Sequence, residues 1–75
     1  MPNNIKVERA RYGYTQDDLA EMLEINVKTL RTFERDIGTC KVSTLLTLSN
    51  IFGVTPEYLI GLTDRRERNY EVRNE

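Results

Sequence analysis

Lys28, Arg31, Arg35 and Lys41 fall within one stretch, residues 26–41, with Thr32 and Thr39 among them and only Glu34 and Asp36 as anions. Such side chains donate hydrogen bonds to phosphate oxygens and to the acceptor edges of bases; the chemistry they support is binding. The residue types that make and break covalent bonds are missing. With no His there is no Ser-His-Asp triad, no Cys-His pair and no imidazole metal site, and a single Cys40 forbids an internal disulfide. The usual thiolate and imidazole zinc sets and a Gly-rich phosphate loop of the Walker kind are absent too. The composition argues against an enzyme and offers no site for a cofactor or a metal. Cys40 reads as a small packing residue rather than a redox switch.

These residues need a scaffold, and 75 residues make one small domain. A chain this short buries only about 60% of the surface its unfolded form exposes, so it must rely on efficient local structure, most simply short helices. Apolar runs such as Leu45-Leu46 and Ile51-Phe52 fall far short of the roughly 18 residues of a membrane span. Met1-Pro2-Asn3-Asn4 has no basic region leading into an apolar one, so a cytoplasmic protein is expected.

Caps and glycines divide the chain into five helical segments, and the predicted class is all-α. Asn3 or Asn4 caps a first helix over Ile5 to Tyr12, with Gly13 at the left-handed position beyond its end. Thr15-Gln16-Asp17-Asp18 resembles a capping box opening a second helix, whose inner face carries Leu19, Ala20 and Leu23. Asn26 caps a third over Val27 to Arg35, and Asp36-Ile37-Gly38-Thr39 breaks the pattern. The fourth, Val42 to Phe52, has too many apolar residues for one narrow stripe and is expected to be central, buried on more than one side. Thr55 caps the fifth, with Pro56 at its first position and Gly61 as its stop. From Thr63 the composition turns to balanced charge. The expected organisation is a helical domain over 1–62 and a charged tail over 63–75, either solvated or serving as an edge strand or dimer arm.

Only Glu24 and Ile25 separate Leu23 from Asn26, the short connection of a helix-turn-helix. Counting 100° per residue from Leu30 puts Phe33 and Glu34 inward on the third helix and Lys28, Thr32 and Arg35 outward, with Arg31 and Val27 on one flank. An inward carboxylate without a partner would cost several kcal/mol, roughly 3–5 for a buried pair broken on one side, so Glu34 requires a partner.

Over about residues 5 to 61 the sequence resembles the Xre/Cro family of bacterial and phage helix-turn-helix repressors, the lambda-repressor-like domain. The resemblance is carried by Gly13-Tyr14-Thr15-Gln16-Asp17-Asp18-Leu19-Ala20, by Ile25-Asn26-Val27-Lys28-Thr29-Leu30 with Phe33-Glu34-Arg35, and by Phe52-Gly53-Val54-Thr55-Pro56-Glu57-Tyr58-Leu59. It implies a five-helix domain that binds double-stranded DNA. Gln16 then contacts a phosphate, aided by the second helix's N-terminus, and the phosphate set is completed by Thr15, Arg35, Thr39 and Lys41. Asn26, Val27 and Lys28 read bases in the major groove, joined a turn later by Arg31 or Thr32. Lys28 suits guanine O6 and N7, and Val27 a thymine methyl. Arg9 and Glu34 match a structural salt bridge between the first and third helices. The sequence departs from the pattern at Glu24, where the family usually has Gly, and over Asp36 to Lys41, where it has fewer basic residues.

The function expected is a sequence-specific transcriptional regulator, most simply a repressor binding a palindromic operator as a homodimer through Tyr58, Ile60 and Leu62, with Tyr70 and Val72 as further candidates. At this length a Cro-like or small immunity regulator without a ligand-sensing domain is expected, controlled by its own concentration or a protein partner. Two rivals share the same residues: an antitoxin whose tail folds onto a toxin, and a helical interaction module that has lost DNA binding. The net charge of −1 motivates the second. It is an average over unlike faces, because residues 15–24 hold Asp17, Asp18, Glu21 and Glu24 with no cation.

Overall fold

A computed structural model describes residues 3–66; the expectations placed on Tyr70 and Val72 lie outside the described residues. Within them the order is α1 (Ile5–Tyr12), α2 (Gln16–Leu23), α3 (Val27–Arg35), a single 3₁₀ turn (Ile37–Thr39), α4 (Val42–Phe52) and α5 (Pro56–Leu59). The chain is all-helical, as its caps and glycines predict. Thr15 forms the full capping box: its hydroxyl accepts from the Asp18 N–H at 3.0 Å, and Asp18 accepts from the Thr15 N–H at 2.9 Å. Hydrogen bonds from the Thr15 backbone and then its side chain hold the Asp18 carboxyl below the ordinary range. Gly13 ends α1 at φ 75°, where any side chain would be strained.

The core is built from one or two residues of every element: Ile5, Leu19, Ala20, Leu30, Phe33, Ile37, Leu48, Phe52, Val54, Tyr58 and Leu59. Ile37 reaches it from the 3₁₀ turn. Cys40 packs half-buried against this core, and burial raises its thiol pKa. The N-terminal asparagines tie the ends of other helices together. Asn3 caps α1 through the Ile5 N–H at 3.1 Å and also donates to the Glu34 carbonyl at 3.0 Å, whereas Asn4 donates to the Tyr58 carbonyl at 2.7 Å.

Three features differ from the sequence reading. Leu48 and Phe52 of α4 are fully buried, but Val42 is 70% and Leu46 49% exposed, so the helix buries one face rather than several. The surplus apolar residues lie one turn apart on the outside. Tyr58, expected at a dimer surface, is only 6% exposed, and its hydroxyl donates to Glu8 at 2.8 Å, so it belongs to this chain's own interior. Packing also continues past Leu62: Arg66 donates to Glu8 through Nη2 at 2.7 Å and Nε at 3.1 Å, and its carbonyl accepts from the Thr55 N–H at 3.3 Å. Thus residue 66 is docked rather than solvated.

Candidate nucleic-acid interface

The turn between α2 and α3 closes with Glu24 in the left-handed region at φ 59°. Its N–H bonds to the Glu21 carbonyl at 3.0 Å and the Ile25 N–H to the Ala20 carbonyl at 3.0 Å, which satisfies the last carbonyls of α2. Asn26 then starts α3, its side-chain oxygen accepting from the Lys28 N–H at 2.7 Å. Leu30 and Phe33 anchor α3 in the core and Ile25 and Val27 pack partly against it. Helix α3 is thereby fixed in position and rotation. Its outer surface carries Lys28, Thr29, Arg31 and Arg35, all exposed, with Thr32 partly so.

Arg9, expected to pair with Glu34, donates through Nε to Glu34 Oε2 at 2.9 Å, with both side chains nearly buried, and through Nη1 to the Tyr14 carbonyl at 3.1 Å. The arrangement extends further than a pair. Gln16 Nε2 donates to Glu34 Oε1 at 3.0 Å, and Gln16 Oε1 accepts from Arg31 Nε at 3.1 Å. These residues line one open cleft together with Lys6, Tyr14 and Thr15, so the start of α2 and the flank of α3 form a continuous polar surface.

The remaining expected contacts are disposed unequally. Lys28, Arg35 and Lys41 make no salt bridge among the described residues, which leaves their charge for a partner. Asn26 keeps its amide N–H₂ for an outside acceptor, because only its oxygen is used in capping. Thr32 donates to the Lys28 carbonyl at 3.1 Å and Thr39 to the Asp36 carbonyl at 2.8 Å, so both hydroxyls present lone pairs unless they rotate. The Thr15 hydroxyl accepts from the Asp18 N–H in the capping box and also lies against the Asp18 carboxyl. Val27 is half-buried, so only part of its side chain faces outward. Ile60 is half-buried, while Leu62 is 65% exposed.

Sequence reasoning missed two clusters. The Gln16 bonds were foreshadowed by Gln16 opening α2 beside a carboxylate that had to be satisfied. The second cluster centres on Glu8, which is fully buried and accepts from Tyr58, Arg66 and, at 3.3 Å, Arg11. Its signal was present: Glu8 lies three residues after Ile5, on the same inward face of α1. Burial alone would raise its pKa, but the Arg66 and Tyr58 hydrogen bonds and the Arg66 and Arg11 charges bring it below the ordinary carboxylate value. Burial, and then Glu8, push the Tyr58 hydroxyl the other way, upward.

Among the described residues no helix is long and apolar enough to cross a membrane, and no group of His, Cys, Asp and Glu is arranged to hold a metal ion. A helix-turn-helix family model, HTH_3, matches residues 5–59. The chain is 38% identical over 69 residues to the HTH-type transcriptional regulator ImmR of Bacillus subtilis, an alignment covering 92% of this chain and 54% of ImmR. It is 31% identical over 64 residues to the HTH-type transcriptional regulator RamB of Mycobacterium tuberculosis, covering 85% of this chain and 14% of RamB. It therefore spans about half of the first relative's length and a small part of the second's. No solved structure matches the chain. With a two-residue turn at Glu24-Ile25, a capped α3 and a family match covering every helix, the chain belongs to the helix-turn-helix family.

Proposed function

We propose that the chain is a sequence-specific double-stranded DNA-binding domain of a transcriptional regulator, acting as a dimeric repressor on a palindromic operator. The observation that carries this reading is the asymmetry of α3. Its inner face is locked by Leu30, Phe33 and the Arg9–Glu34 pair, while Lys28 and Arg35 stand exposed without a salt bridge among the described residues. Kinship with proteins named as transcriptional regulators supports it.

In the major groove, Lys28 faces guanine O6 and N7, the Asn26 amide donates to a base acceptor, and Val27 meets a thymine methyl through its exposed part. Arg31 and Thr32 extend the reading surface by a turn. Arg35 and Lys41 donate to phosphates, together with the backbone N–H groups at the start of α2, and Thr15 and Thr39 join them when their hydroxyls turn away from Asp18 and the Asp36 carbonyl. One reading helix contacts few bases, so two copies bind half-sites about 34 Å apart. Ile60 and Leu62 supply the surface between copies, and the bound dimer represses by occluding polymerase.

Selection of duplexes from a random pool tests this. The expected product is a palindromic consensus, bound with an affinity that falls by about 0.9 log units per log unit of salt for each phosphate neutralised. Lys28→Ala should relax one base position per half-site by about 1–3 kcal/mol of discrimination. Failure to retain any duplex even at low salt would refute the proposal and favour a protein-interaction module.

A further inference from the structure

Gln16 stands between a guanidinium that can only donate and a carboxylate that can only accept. Its amide orientation is therefore dictated by its neighbours: Oε1 toward Arg31 Nε at 3.1 Å, Nε2 toward Glu34 Oε1 at 3.0 Å. Glu34 is itself immobilised by Arg9 Nε at 2.9 Å, and Arg9 by the Tyr14 carbonyl at 3.1 Å. The donations from Arg31 and then Gln16 run inward from the exposed flank of α3 to the nearly buried Glu34, which Arg9 meets with its own donation from the side of α1.

An exposed arginine on a helix ordinarily samples many rotamers and loses that freedom when it binds. Arg31 is already held at Nε, on the side facing α2. Its two Nη groups make no hydrogen bond among the described residues and form an end-on fork, the geometry that pairs with the two acceptors on one edge of guanine. Gln16, by contrast, is poorly placed to act alone on a phosphate. Its oxygen cannot donate, and one of its two N–H hydrogens is committed to Glu34.

We infer that Gln16 is a positioning residue for Arg31, holding the guanidinium fork toward a base edge so that Arg31 is a determinant of sequence preference. The inference rests on the DNA-binding reading proposed above. It differs from a phosphate role for Gln16 in a measurable way, because losing a phosphate contact weakens all sequences alike.

The test is competitive selection from a randomised duplex pool with the unaltered chain, Gln16→Met, Arg31→Ala and the double variant, each checked for a cooperative thermal melt. Methionine keeps the length of glutamine and removes both hydrogen bonds. Gln16→Met and Arg31→Ala should flatten preference at the same base pair of each half-site, by about tenfold or more. The double variant should be no flatter than Arg31→Ala. Gln16→Ala also removes both hydrogen bonds, so it should flatten the same base pair and serves as the second variant if Gln16→Met does not melt cooperatively. Uniform weakening by Gln16→Met with the preference intact, or losses at two different base pairs, each overturn the inference while leaving DNA binding standing. An unaltered chain that selects no duplex overturns both.

Discussion

Glu24 holds φ 59° at the turn entering α3, a region that costs an L-residue with a Cβ roughly 1 kcal/mol or more. Its carboxylate also sits at the negative end of α2, where an anion is disfavoured by a few tenths of a kcal/mol, about 0.3 or more. Glu24→Gly should therefore stabilise the fold by about 0.5–1 kcal/mol despite glycine's larger unfolded-state entropy, raising Tm by about 3–6 °C in a calorimetric scan. A fall in Tm would mean that the Glu24 side chain makes a compensating contact. Glu8 presents the opposite case, a charge whose burial is tolerated because Arg66, Tyr58 and Arg11 all donate to it. Its folded-state pKa lies below the ordinary value of 4.5, so near that pH the unfolded chain binds more protons than the folded one. The stabilisation is present above about pH 4.5 and is lost as pH falls through the lower folded value. Glu8→Gln should cost about 3 kcal/mol at pH 7, and the gap to the parent chain should narrow in denaturant titrations run at progressively lower pH. A gap independent of pH would show that the charge on Glu8 contributes nothing.

At the scale of elements, α3 depends on its first residue as well as on its buried face. Asn26 is its only side-chain cap, so Asn26→Ala should remove about 1 kcal/mol of stability. Under the proposed DNA-binding reading Asn26 also offers its amide to a base, so the same variant should lose affinity beyond what reduced folding explains; a loss proportional to the unfolded fraction alone would assign Asn26 to capping only. The segment from Leu62 to Arg66 is held by another clasp. Arg66 joins α1 through Glu8 and the start of α5 through Thr55, although its side chain remains partly exposed. Arg66→Ala leaves the buried carboxylate with Tyr58 and Arg11 and should cost about 2 kcal/mol. Hydrogen exchange at the Thr55 amide, which bonds to the Arg66 carbonyl, should accelerate with it; an unchanged rate would mean that the backbone docks without the side chain.

For the whole molecule, near-neutral net charge weakens non-specific attraction to nucleic acid, so binding should depend on association and on correct base contacts more than in a basic relative. Leu62, 65% exposed, is the apolar residue best placed to join two copies near the end of α5. If the chain dimerises as proposed, Leu62→Lys should leave a monomer in sedimentation equilibrium that still melts cooperatively; dimerisation that survives would move the interface elsewhere, with the exposed Val42–Leu46 pair on α4 the next surface to alter. The domain-level reading followed from local chemistry. The capping signals at Thr15, Asn26 and Thr55, the left-handed glycines and the two-residue turn act within a few residues along the chain, which is why all five helices and the outward face of α3 were legible in the sequence. That Glu34 needs a partner was also legible, from the helical period and the cost of a buried charge, whereas Arg9 as that partner came with the family resemblance. Only the tertiary structure decided that Gln16 joins Glu34 to Arg31, that Glu8 gathers Tyr58 and Arg66 from 50 and 58 residues away, that Tyr58 belongs to the interior, and that α4 leaves Val42 and Leu46 outside. Those outcomes depend on which faces meet across the core, and a helical period fixes the direction of a side chain around its own axis without naming the element it will meet.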